Sequence, residues 1–87
     1  MKVYIKPVKM ISVNDYDGTV IPIRFQIVNR EQELITIKIG RIIEKKQEKI
    51  AGNRMLVFSC QSGIGEVERR FELKVEINTC VWYLYKI

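Results

Sequence analysis

Few groups in this chain are able to do chemistry. There is no histidine, and the two cysteines, Cys60 and Cys80, stand too far apart in sequence for a metal-ligand motif. Two thiols without an imidazole cannot complete a usual zinc shell. Asp15 and Asp17 are a close pair of carboxylates that hydrolytic acid–base chemistry could use. They lie in Asn14-Asp15-Tyr16-Asp17-Gly18, however, where Asx side chains accept from nearby backbone N–H groups and the glycine takes positive φ, so turn formation accounts for both. Gly63-Ile64-Gly65 resembles a phosphate cradle only in composition. No helix follows it, and the helix N-terminal donors that make such loops work are missing. No catalytic, cofactor-binding or metal-binding residue is assigned, and a non-enzymatic protein is expected.

Charge and aromatic rings remain. The formal charge is +5, divided as +3 over residues 1–43 and +2 over 44–87, so it forms no tail. Two surfaces stand out. The first is a candidate binding face of Arg24, Arg70, Lys74, Tyr83 and Tyr85, in which tyrosines would stack on bases or on a partner's side chains and arginine would add cation–π attraction. Glu72 and Glu76 alternate with the cations there and dilute any pull on phosphate. Arg24 is also placed to pair a carboxylate. The second surface is a basic hairpin of Lys45, Lys46, Lys49 and Arg54, suited to phosphate contacts that read no sequence, with Glu44 and Glu48 among them.

The elements that must position these residues are strands. Fourteen isoleucines and nine valines stand against a single alanine, a balance that stiffens χ1 and favours the pleated sheet over the helix. Ile21, Ile23, Phe25 and Ile27 alternate with Pro22, Arg24 and Gln26, which predicts a strand with those four on the core face. Phe71, Leu73, Val75 and Ile77 do the same against Arg70, Glu72, Lys74 and Glu76. Parity changes near Pro7, which lacks an N–H, so the first strand is expected at an edge with a bulge. Gly40 and the Ile42-Ile43 pair break a third run at a bend. Glu44 to Lys49 reads as an exposed strand end or short turn, Ala51-Gly52-Asn53 closes a hairpin, and Gln61 to Gly65 supplies another reversal. A loop centred on Asn78-Thr79 pairs Val75 with Trp82, Leu73 with Leu84, Lys74 with Tyr83 and Glu72 with Tyr85.

The connections are short, and consecutive strands are expected to pair antiparallel. The fold class is all-β: one domain over residues 1–87, a meander of about six strands forming a strongly curled sheet or small barrel. Lysines interrupt the first residues, which excludes a signal peptide or membrane span there and points to the cytoplasm, where two cysteines are expected as thiols.

Val20-Ile21-Pro22-Ile23-Arg24-Phe25, the turn Ala51-Gly52-Asn53-Arg54, and the stretch from Phe71-Glu72-Leu73 to Trp82-Tyr83-Leu84 resemble small uncharacterised bacterial β-rich proteins. These have an early proline-x-arginine-phenylalanine strand and a tryptophan-containing last strand. The likeness spans residues 19–87. Some such proteins look like accessory partners of DNA-repair polymerases, which implies binding in place of catalysis and defines no site residues. The expected function is a binding module for another protein or for its own copy, through a sheet edge or the Tyr83/Tyr85 face, without cofactor. The alternative is a small-barrel nucleic-acid-binding protein.

Overall fold

The computed structural model describes residues 2–87 and, Ile50 apart, their side chains. Seven strands form one antiparallel sheet: β1 (Val3–Asn14), β2 (Val20–Val28), β3 (Leu34–Lys38), β4 (Arg41–Ile50), β5 (Asn53–Ile64), β6 (Val67–Glu76) and β7 (Val81–Lys86). The order across it is β3-β2-β1-β7-β6-β5-β4. Among the described residues no helix is long and apolar enough to cross a membrane.

This order carries a geometric demand. β3 and β4 lie at opposite ends of the sheet, yet only Ile39 and Gly40 join them. Across that join the chain reaches at most about 11 Å, so the sheet must curl until its ends meet, giving a half-barrel. The meeting point is tight. A Cβ on Gly40 would lie 2.9 Å from the Gln61 carbonyl oxygen, and the Gly40 N–H donates to Oγ of the buried Ser62 at 2.9 Å. The Ile39 N–H donates to the Ile23 carbonyl at 2.9 Å, holding the join to β2 as well.

Seven strands appear where about six are expected because the bend at Gly40 divides the third run in two, and its halves pair with different neighbours, β2 and β5. The simple meander is interrupted there and closed elsewhere by a β1–β7 ladder. β1 is not an edge strand. Residues 3–8 pair with β7 and residues 9–14 with β2, so Pro7 sits just before the partner changes. The bulge lies slightly earlier, between Val3 and Lys6, where Ile5 takes φ 47°, an unusual conformation for a β-branched residue.

A second bulge corrects the predicted core face of β2. Ile11 pairs with Arg24 and Ser12 with Pro22, leaving Ile23 as the extra residue. Pro22 and Phe25 therefore point inward, and Ile23 is 37% exposed. Ile77 is also outside, beyond the end of β6. Glu44 to Lys49 is regular strand, and β5 runs through Gln61–Ile64, so the reversal falls at Gly65-Glu66. Ile50 pairs with Asn53, making Ala51-Gly52 a two-residue turn with both φ positive, as a type I′ hairpin demands.

The core gathers Phe25, Ile37, Phe58, Cys60, Phe71, Leu73, Val75, Trp82 and Leu84. Phe25 and Phe71 tilt together across the barrel, and Phe58 stacks on Trp82, each pair with centroids 5.5 Å apart. The last hairpin has the expected pairings Val75–Trp82, Leu73–Leu84 and Lys74–Tyr83 around a four-residue loop. Glu72, however, pairs with Lys86, because a further irregularity skips Tyr85.

Gly40→Ala places a methyl group against backbone that cannot swing away, and it should destabilise the fold by about 1–3 kcal/mol, read as a lower midpoint in urea unfolding.

Candidate functional site

The structure brings together three of the five residues of the predicted binding face. Lys74, Tyr83 and Tyr85 lie side by side on the outer face of β6 and β7, Lys74 directly opposite Tyr83. Lys74 is 5% exposed. Its Nζ sits 3.6 Å from the centroid of the Tyr85 ring and 3.2 Å from Glu48 Oε2, a carboxylate supplied by β4. Its cross-strand partner on β5, Val57, is also buried. The ammonium is therefore satisfied within the molecule, by an ion pair and a ring face. Its capacity to meet a ligand is correspondingly small. Arg70 projects further along β6, exposed, beside Lys2, Val3 and Ile87 near the paired chain ends.

Arg24 lies on the other wall of the half-barrel. Neither of the two ion pairs among the described residues involves it, so the expected carboxylate partner is replaced by register neighbours: Ile11 on one side and Lys38 on the other. Arg24 lines a shallow outer depression of about 360 Å³ with Lys9, Ile11, Gln26 and Thr36.

The predicted basic hairpin is formed by β4 and β5, with all four cations exposed. Lys45 stands over the Phe58 ring at 5.7 Å, Lys46 is 3.9 Å from Glu48, and Lys49 faces Arg54 across the ladder. The cations are thus spread over both faces of the hairpin, and one is partly neutralised.

The turn reading of the acidic pair holds. Asp15 Oδ1 accepts from the Tyr16 N–H at 2.8 Å, and Asp17 Oδ1 accepts from the Thr19 N–H at 2.9 Å. Hydrogen bonding from the side chain and backbone of Thr19 holds the Asp17 carboxyl below its ordinary 3.8, which weakens it as a base. Among the described residues no group of three or more His, Cys, Asp or Glu side chains is placed to hold a metal.

The sequence gives little sign of a cleft of about 670 Å³ between the β1–β2 and β6–β7 hairpins, lined chiefly by Val8, Met10, Val20, Leu56, Ile77 and Trp82. It opens because residues 9–14 of β1 extend past the first residue of β7 and have β2 as their ladder partner. Cys80 stands at its rim, exposed, with φ 60°, whereas Cys60 is buried in the core. Burial alone pushes the Cys60 thiol up to about 12. No family model, curated protein or solved structure matches this chain. Fold and surfaces define a curled antiparallel β domain.

Removing the carboxylate should cost more than removing the ammonium. Glu48→Gln leaves Lys74 charged and buried, a loss of about 1–2 kcal/mol once the partial exposure of Glu48 is allowed for. Lys74→Met lets Glu48 turn to water and should be near neutral, and paired urea titrations distinguish the two. In the native protein a thiol reagent should titrate one cysteine, Cys80. Cys60 should react only on unfolding, and its contribution to stability should fade as the pH rises from about 9 towards 12, since the unfolded thiol ionises first.

Proposed function

We propose that this protein is a non-enzymatic binding module that takes an extended segment of a partner protein along the free side of β4. The observation that supports the reading is an incomplete seam. β4 pairs with β5 along one side, and among the described residues its other side has no strand partner over its ten residues. Across the bend, the β2–β3 ladder covers residues 24–28 of β2, leaving Val20–Pro22 without a ladder partner on the same flank. Ile21, Ile23 and Ile42 line a depression between the two, with Lys38 and Arg41 at its rim. An added strand would satisfy backbone groups left to solvent and cover these isoleucines, as strand addition does in peptide-recognition domains.

The charges of β4 select the partner. Lys45 and Lys49 share one face of the strand, and Lys46 lies with Glu44 and Glu48 on the other. An incoming segment with acidic side chains opposite Lys45 and Lys49 fits best. A second copy fits poorly. Antiparallel pairing of two β4 strands that keeps inner faces together, centred on Lys46, opposes Glu44 to Glu48; centred on Gln47, it opposes Lys45 to Lys49 while setting Lys46 against Glu48.

The test is selection from a displayed library of twelve-residue peptides, followed by amide hydrogen exchange on the protein with the best binder. Selected peptides should be acidic with alternating apolar residues, protect amides of β4, and lose about tenfold in affinity on Lys45→Glu. Protection confined to β6 and β7, or binders indifferent to Lys45→Glu, overturns the proposal. So does a dimer at micromolar concentration that buries β4.

A further inference from the structure

We propose that the outer wall of β1, β2 and β3 is an anion-binding surface for the phosphate backbone of duplex nucleic acid. It shares with the β4 seam the depression rimmed by Lys38 and Arg41, but it rests on side-chain cations of β1, β2 and β3 and needs no strand addition.

The wall is assembled from three stretches, residues 9–14, 20–28 and 34–38. None of them contains an aspartate or glutamate. Their outward side chains form two rows across the strands: Lys9–Gln26–Thr36 and Ile11–Arg24–Lys38. Gln26 Nε2 donates to Thr36 Oγ1 at 3.1 Å, so the neutral polar members satisfy each other and leave the cations uncommitted. Arg24 and Lys38 are direct cross-strand partners, and Lys9 is diagonal to Arg24. Like charges directly opposite in a ladder oppose folding, and an anion laid across the rows relieves that repulsion. Arg41 continues the line at the bend, beside Lys38, and its guanidinium reaches Gln61 Oε1 at 3.5 Å. No carboxylate lines either of the two depressions that make up this surface.

The hairpin of β4 and β5 also sets like charges opposite, Lys49 against Arg54, while Glu48, on the other face of β4, is joined to Lys46 and Lys74. On the wall the acids are confined to the end turns: Asp15 and Asp17 at one, Glu31 and Glu33 at the other.

Duplex nucleic acid is the occupant that matches this chemistry. At Arg24, β2 is paired on both sides, so only side chains can make contact there. Residues 9–14, 20–28 and 34–38 offer no exposed aromatic ring, the exposed Tyr16 standing in the end turn with Asp15 and Asp17, so the cation rows themselves lack the stacking platform that single strands use. What is left is a rigid array of three or four cations, suited to a regular polyanion read through its backbone without regard to base sequence.

The test is fluorescence anisotropy with two labelled 20-base-pair DNA duplexes of unrelated sequence, a labelled single strand, and inorganic polyphosphate as competitor. Both duplexes should bind alike. Their affinity should fall about 40-fold between 50 and 200 mM salt, as three phosphate contacts require. Arg24→Gln and Lys38→Gln should each reduce that fall to about 12-fold, whereas Lys45→Gln with Lys46→Gln should leave it unchanged. Arg24→Gln should also raise the thermal midpoint at low salt, a readout that a simple loss of fold would move the other way. The proposal is overturned by no duplex binding at 50 mM salt, by dependence on Lys45 and Lys46 in place of Arg24 and Lys38, or by tighter binding of the single strand or of polyphosphate.

Discussion

The two-residue join between β3 and β4 is the constraint on which the rest of the architecture depends. A flat seven-stranded sheet in this order would hold its end strands far apart; Ile39 and Gly40 forbid it. Curling then follows, and with it a one-sided core in which Phe25 can reach Phe71 from the opposite wall. The absence of a side chain at Gly40 and the hydroxyl of Ser62 let the bend pass against β5 at backbone distance. Small residues at such corners are part of how curled sheets are closed.

Curling also divides the surface into walls of different character. On the β6–β7 wall a lysine is folded under a carboxylate and a tyrosine ring, and charge is used up in holding strands together. On the β1–β3 wall the cations have no such partners among the described residues. Between the walls, at one end, the sheet is left open as an apolar cleft, and at the bend it leaves β4 with a free side. The seam and the carboxylate-free wall carry the two proposals.

Strands were readable from the chain wherever alternation was uninterrupted. Residues 71–75 and the Val75–Trp82 register follow from parity and from the cost of burying charge opposite the indole. Ile23 was not readable, because a bulge becomes visible only once the partner strand's residues are counted against it. The split at Gly40 showed as a break in pattern, but nothing local says that the two halves choose different neighbours. Lys74 reads as a solvated residue of an alternating charged run. Its burial comes from Glu48, twenty-six positions away in the chain. The cationic wall was hidden for a related reason: its three carboxylate-free stretches are separated by turns that hold aspartate or glutamate, so net charge along the sequence looks even.

The β1–β7 ladder has a kinetic meaning of its own. Lys2 and Ile87 exchange two backbone hydrogen bonds, of 2.9 and 3.1 Å, so this ladder fastens segments far apart in sequence, whereas the other ladders join nearer ones. Closing a loop of nearly full chain length carries an entropic penalty about 2 kcal/mol greater than closing a ten-residue hairpin. Hairpins can zip locally, but the polypeptide must bring its most distant parts together before the half-barrel is complete, which sets the rate of folding by topology more than by stability.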